Sequence, residues 1–274
     1  MIHATFRSLF SRLVFLVAPA LLAQGGIMPP PPLLLIVREE VKPGHGGPHA
    51  ATESAWARAV AKGKSTDHYL GMTSLTGPSE AWFIMGYASY ADWEVKQHEL
   101  DKNLALMKEV DKIAMEDGEH LTGTRSILAT LRKDLSFGPP VEIGKMRYFR
   151  VRTFRVKQGQ TKAFEEGVKM ALAAYEKSHY SASFACYEVA AGTGSPTFIV
   201  LRPMKSLTDL DAMDMADKAF REALGEEGQK AMSKLFADTV NFVENQLFSF
   251  SSKLSYPGPH TIASDPDFWT VKAD

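Results

Sequence analysis

Cysteine is almost missing from this sequence. Cys186 is the only one in 274 residues, so no disulfide can form within the chain. It lies in the run SFACYEV, where a small buried hydrophobe is a better reading than a reactive thiol. A surplus of charge is missing too. With 31 basic and 32 acidic residues the formal charge is −1, which gives no long-range pull toward nucleic acid or an anionic membrane. No GxxxxGK[ST] or GxGxxG loop is there to cradle a phosphate. Nor is there a nucleophile elbow, a carboxylate dyad or a cysteine–histidine pair. What remains is an ordinary globular composition, 45% apolar and 23% charged, at a length that suits two domains.

A bilayer-spanning run is also absent. About 20 apolar residues are needed to cross a membrane, and residues 13–23 (LVFLVAPALLA) fall well short. Arg7 and Arg12 precede that run and Gln24-Gly25-Gly26 follows it. A basic start, a short apolar core and a small-residue exit predict a secretory signal peptide over residues 1–23, cut after Ala23 or Ala20. No cysteine lies nearby to carry a lipid. The expected product is exported, periplasmic or secreted, with no membrane association after cleavage. Residues 24–32 end in IMPPPP, an extended leader, because proline fixes φ and lacks an N–H.

What the rest of the chain has is repetition. Val41-Lys42-x-Gly44 returns as Val156-Lys157-x-Gly159 (159 − 44 = 115). Phe83-Ile84 returns as Phe198-Ile199 at the same spacing, and Ser89-x-x-Asp92 as Ser206-x-x-Asp209 (206 − 89 = 117). Leu135-Ser136-Phe137 matches Leu254-Ser255-Tyr256 (254 − 135 = 119). A drift of a few residues is what loop insertions do to a duplicated unit.

Periodicity gives each copy the order β-α-β-β-α-β. The first copy, residues 33–137, reads as a strand at 33–41, a breaker-rich turn at 42–48 and a helix at 50–62. A hairpin of 68–75 and 81–88 follows. Leu100, Leu104, Met107 and Val110 then stripe a helix, and 126–131 closes the unit. Residues 138–144 (GPPVEIG) form the linker. The second copy, residues 145–256, repeats the plan: a strand at 147–156, a helix at 161–176, a hairpin through 182–190 and 197–201, a helical region from Asp209 to about Val243, and a strand at 247–250. Residues 257–274 are a tail.

A strand closing on V-K-x-G, a helix, an aromatic hairpin and S-x-x-D opening a helix together resemble the dimeric α+β barrel superfamily. NIPSNAP-like and antibiotic-biosynthesis-monooxygenase-like proteins are the nearest in character. The resemblance covers residues 33–137 and 145–256. It implies an α+β fold of two tandem ferredoxin-like repeats whose sheets close one barrel within the chain. Superfamily members include cofactor-free oxygenases, haem enzymes and small-molecule sensors, so the resemblance speaks to fold more than to chemistry.

Candidate site residues are few. His45 and His49 in GHGGPH read as a solvated turn, since their counterparts at 160–164 (QTKAF) offer no metal ligand beyond the weak Gln160. No metal and no cofactor is expected. His68, His98 and His179 stand near hairpin strands or helix ends, where a pocket histidine acts as a base or an iron ligand. Tyr148, Arg150, Arg152 and Phe154 alternate onto one face of their strand, and two arginines there suit an anionic ligand. The alternative is a solvent-facing stretch or pairing with Glu39 or Glu40. Trp82 and Tyr87 are matched with Thr197 and Arg202, and His68 with Ser183, as in a pair with one functional and one decayed copy. One asymmetric pocket is therefore expected, richer on the first-copy side, with His68, Trp82 and Tyr87 around it and Arg150 or Arg152 supplying charge. Alternation puts Trp82 and Tyr87 on opposite strand faces unless a bulge intervenes. The expected function is that of an exported small-molecule-binding barrel, alone or as a homo-oligomer. A cofactor-free oxygenase or isomerase, and a partner-binding protein with a filled barrel, are the alternatives.

Overall fold

Runs such as LLLIVREEV and TFIVLRPM become strands because branched and aromatic side chains pack well on a pleated surface. In the computed structural model, which describes residues 27–270, the first half holds β1 (Leu33–Val41), α1 (Gly46–Lys62), β2 (Tyr69–Ser74) and β3 (Glu80–Tyr87). It continues with α2 (Tyr90–Lys102), α3 (Leu104–Gly118) and β4 (Leu121–Leu131). The second half holds β5 (Tyr148–Val156), α4 (Thr161–Lys177), β6 (Ala185–Ala191), β7 (Thr197–Met204), α5 (Thr208–Thr239) and β8 (Val240–Tyr256). Two short helices follow, α6 (Pro259–Ser264) and α7 (Pro266–Trp269). The signal-peptide reading falls outside the described residues.

The eight strands close into a barrel in the order β1-β3-β2-β8-β5-β7-β6-β4, every pair antiparallel. Within it, β4-β1-β3-β2 and β8-β5-β7-β6 have the same order, and β2–β8 and β4–β6 sew the two sheets together. Closure leaves no exposed edge to template aggregation. The interior is filled. Trp82, Ile36, Met72, Phe248, Ile199 and Tyr187 meet there, drawn from both sheets and each 2% exposed or less. Two further apolar layers lie outside, α1 and α3 on the first sheet and α4 and α5 on the second.

The repeated landmarks do the same work in both halves. A bulge separates Glu40 from Val41 opposite β4, and another separates Arg155 from Val156 opposite β8. Gly44 and Gly159 take φ of +82° and +77°, a left-handed turn that favours glycine. The Ser136 hydroxyl accepts the N–H of Cys186, and the Ser255 hydroxyl accepts the N–H of Gly71 (186 − 71 = 115; 255 − 136 = 119). That shared bond explains why Leu-Ser-aromatic recurs.

Several expectations need correcting. Val41 N–H bonds the Ser79 carbonyl and Val156 N–H bonds that of Pro196, so the third strand repeats at 117, not 115 (196 − 79 = 117). Trp82 therefore answers to Ile199, Tyr87 to Met204 and Arg202 to Met85. The matched Phe-Ile pairs are two residues out of register, an even slip that keeps both phenylalanines on the helix-facing side. The expected turn at 42–48 is shorter, because α1 already begins at Gly46; Pro48 is tolerated in a first turn, where its missing N–H has no partner to lose. The long first-half helix breaks at Asn103, leaving Leu104 77% exposed while Leu106 is buried. The second-half helix stops at Thr239, so Val240 and Val243 are strand residues. Residues 257–270 of the tail pack back onto the fold: the Trp269 indole N–H donates to the Gly144 carbonyl at 2.6 Å, and Trp269 meets Phe250 edge-on. Arg147 pairs with Asp265 beside it.

Candidate ligand-binding site

A cavity of about 110 Å³ lies between the outer face of the second sheet and helices α4 and α5. Residues 150, 152 and 154 of β5 point outward into it, because 149 and 151 fill the barrel. Its walls are apolar and aromatic: Phe154, Phe164, Phe184, Phe236, Val168 and Leu172 among them. Into this wall stand three guanidinium groups, Arg150 and Arg152 from β5 and Arg202 from β7.

None of the three arginines forms an ion pair with a carboxylate among the described residues. Arg150 reaches the Met213 sulfur at 3.4 Å. Arg152 lies over the Phe154 ring at 5.0 Å, and its Nε is buried without a partner. Arg202 donates to the Tyr180 hydroxyl at 2.6 Å, and its Nε is also unpartnered. Burial lowers the pKa of Arg152, with the neighbouring charge of Arg150 adding to it; burial lowers that of Arg202 as well. Arginine stays charged through such shifts, so the cavity holds positive charge with no carboxylate paired to it, Asp209 acting on Arg202 only through space. Tyr175 and Tyr180 stack at 4.6 Å along the rim, each with its pKa raised by burial. Cys186 lines the floor, and burial pushes its thiol up to about 12, the value of an inert small hydrophobe.

The other expected site residues lie elsewhere. Trp82 is wholly inside the barrel, its indole N–H on Glu80 at 2.8 Å and Arg38 stacked on its ring at 4.5 Å. Tyr87 faces outward and donates to Asp67 at 2.8 Å. His68 packs on Tyr256 at 4.7 Å, its Nδ1 buried without a partner and its pKa lowered by burial. The structure thus brings Arg150 and Arg152 together and separates them from His68, Trp82 and Tyr87. Glu39 bonds His49 instead of either arginine, and Glu40 is exposed, so pairing with these acids does not occur. His98 and His179 are exposed. Arg202 was matched to Tyr87 and passed over. Its signal was a lone cation inside the apolar run TFIVLRPM, which the interior of a buried strand does not ordinarily carry.

No family model matches the sequence, and no curated protein matches it either. Solved structures do match. An anthrone oxidase-like protein superposes with a TM-score of 0.50 at 12% identity, over 80% of this chain and 90% of that one. A candidate monooxygenase from Fusobacterium nucleatum reaches 0.49 at 10% identity, over 81% and 94%. A chlorite dismutase variant from Candidatus Nitrospira defluvii reaches 0.48 at 10% identity, over 83% and 96%. The fold is that of the dimeric α+β barrels. Identities this low carry the fold and no chemistry. Haem does not suit the cavity: its lining has no histidine, and 110 Å³ is far too small for a tetrapyrrole.

Proposed function

We propose that this chain binds a small organic anion between the second sheet and helices α4 and α5. One observation carries the reading: three guanidiniums share an apolar cavity whose lining holds no carboxylate, and among the described residues none of them is ion-paired. Uncompensated buried charge is costly, and a bound anion removes the cost. The aromatic walls favour a flat apolar body, so an aromatic carboxylate or phenolate fits best. The volume lies below the roughly 300 Å³ where drug-sized pockets begin, which selects a compact ligand. No histidine or carboxylate lines the cavity to act as a base, which favours binding over the oxygenase or isomerase alternative.

The reading extends to origin and location. The shared hydrogen bonds support a duplicated and fused ferredoxin-like unit of the kind the sequence resembles in NIPSNAP-like and monooxygenase-like barrels. The basic-then-apolar N-terminus supports export. Calorimetric titration with benzoate tests the function. Binding is expected in the wild type, and Arg202→Gln should weaken it tenfold to a hundredfold, the worth of about 1.5–3 kcal/mol for a charge-assisted hydrogen bond. Equal affinity in wild type and variant would overturn the site, and no heat with benzoate, phenolate or acetate would overturn the function.

A further inference from the structure

The matching space in the first half holds a different set of groups. Glu39 projects from β1, His49 and Glu53 stand one turn apart on α1, and Asp117 comes from the end of α3. Their donor atoms all lie within 4.8 Å of one another. His49 is 2% exposed, Asp117 4% and Glu53 6%. The His49 Nε2 is 2.9 Å from Glu39 Oε2 and 3.9 Å from Asp117 Oδ1. Thr52 donates its hydroxyl to Asp117 and helps to fix it. No lysine or arginine forms an ion pair with any of the three carboxylates among the described residues.

Two further observations separate this from a chance cluster of acids. The Tyr69 hydroxyl, 8% exposed, has no hydrogen-bond partner, and it is close enough for Glu53 and Glu39 to add to the upward push that burial gives its pKa. The second observation is the other half of the molecule. Lys42 N–H bonds the His120 carbonyl as Lys157 N–H bonds that of Thr239, and His49 follows His45 as Phe164 follows Gln160 (157 − 42 = 115; 239 − 120 = 119). On that register Glu39, His49, Glu53, Tyr69 and Asp117 answer to Phe154, Phe164, Val168, Phe184 and Phe236. The fold is content with apolar side chains at all five positions. In the first half it carries three carboxylates, a histidine and a tyrosine there instead, at a cost in desolvation and in repulsion among the acids.

We propose that Glu39, His49, Glu53 and Asp117 bind one divalent metal ion of the Mn(II), Fe(II) or Zn(II) class. One imidazole nitrogen with three carboxylate oxygens suits these ions, whereas an all-oxygen shell would suit calcium or magnesium. Bonds of 2.0–2.2 Å put the donors of one ion about 3–4.3 Å apart, so the present cluster closes on a metal by moving a few tenths of an ångström. The double charge of such an ion offsets the three carboxylates that the fold gathers here with no lysine or arginine paired to them among the described residues.

The test uses the purified protein stripped with EDTA and titrated by calorimetry with MnCl2, ZnCl2 and CaCl2, with Mn(II) also followed by electron paramagnetic resonance. One equivalent of Mn(II) or Zn(II) should bind, calcium should bind more weakly, and the bound ion should raise the melting temperature. Glu53→Gln and Asp117→Asn should each lower the affinity at least tenfold to a hundredfold and abolish the thermal shift while keeping the circular dichroism of the wild type. The pair His45 and His120, with ring nitrogens 3.2 Å apart near the start of α1, is the competing metal-binding place. One equivalent whose affinity ignores Glu53→Gln and Asp117→Asn would assign the metal there and overturn the proposal. Absence of any binding at millimolar Mn(II) and Zn(II) would overturn it too, leaving the acids to share a proton.

Discussion

The two halves share strand order, bulges, glycine turns and the serine bond beneath Leu-Ser-aromatic, yet the spaces under their helices carry opposite charge. In the second half Arg150, Arg152 and Arg202 stand among phenylalanines; their first-half counterparts are Leu35, Val37 and Met85. In the first half Glu39, His49, Glu53 and Asp117 stand together; their counterparts are three phenylalanines and a valine. Each half is apolar where the other is charged. The fold constrains these positions to fill a layer and nothing more. Buried charge then marks the places where something beyond folding is required, and its sign indicates what each place takes.

The barrel interior is the part the halves hold in common, so damage there should erase the contrast altogether. Trp82→Ala removes a wholly buried ring that packs on Phe248 at 4.9 Å, and should cost about 3–5 kcal/mol in urea unfolding. Both halves should unfold in one transition. Two separate transitions would show that the halves are independent bodies.

The acidic site should appear in the pH dependence of stability. Burial, then Glu39 and Asp117, raise Glu53 from its ordinary 4.5 to about 9, so the folded chain holds a proton that the unfolded chain has lost. In EDTA, the contribution of Glu53 to stability should be fullest below pH 4.5, fall as pH rises and level off above 9, with a slope approaching about 1.4 kcal/mol per pH unit for one proton. Glu53→Gln should flatten that slope. A wild-type profile already flat from pH 5 to 9 would show that Glu53 is ionised in the fold.

The basic site responds differently. Arg152→Val with Arg202→Met installs the first-half residues and removes two unneutralised cations, so without an anion stability should hold or rise by about 1–4 kcal/mol. A loss above 1 kcal/mol would mean that the arginines are structural. Ser136→Ala and Ser255→Ala each orphan a backbone N–H and should cost about 1–2 kcal/mol, nearly alike in the two halves. A clear inequality in their unfolding midpoints would break the equivalence on which the comparison rests.

Much of the fold was legible. Val-Lys-x-Gly is readable because only a left-handed glycine ends those strands, and Leu-Ser-aromatic because one hydroxyl has one backbone donor to serve. Arg150 and Arg152 were readable from strand alternation. The acidic site was not. Gly46-Gly47-Pro48 reads as a turn, although a first helical turn tolerates all three, and that put His49 on a loop instead of one turn from Glu53. Asp117 is remote in sequence and meets them only through helix packing. The demand that a site recur in both halves also counted against it, when the difference between the halves is what sets it apart. The matches of Trp82 to Thr197 and of Tyr87 to Arg202 came from a register two residues out at β3, an error that pairing alone exposes, whereas the match of His68 to Ser183 was in register.

One measurement bears on both spaces at once: anomalous diffraction from a crystal grown with Mn(II) and soaked in bromide. The expected map has manganese among Glu39, His49, Glu53 and Asp117, and bromide among Arg150, Arg152 and Arg202. Peaks confined to the surface, with neither space occupied, would contradict the assignment of opposite ligands to the two halves.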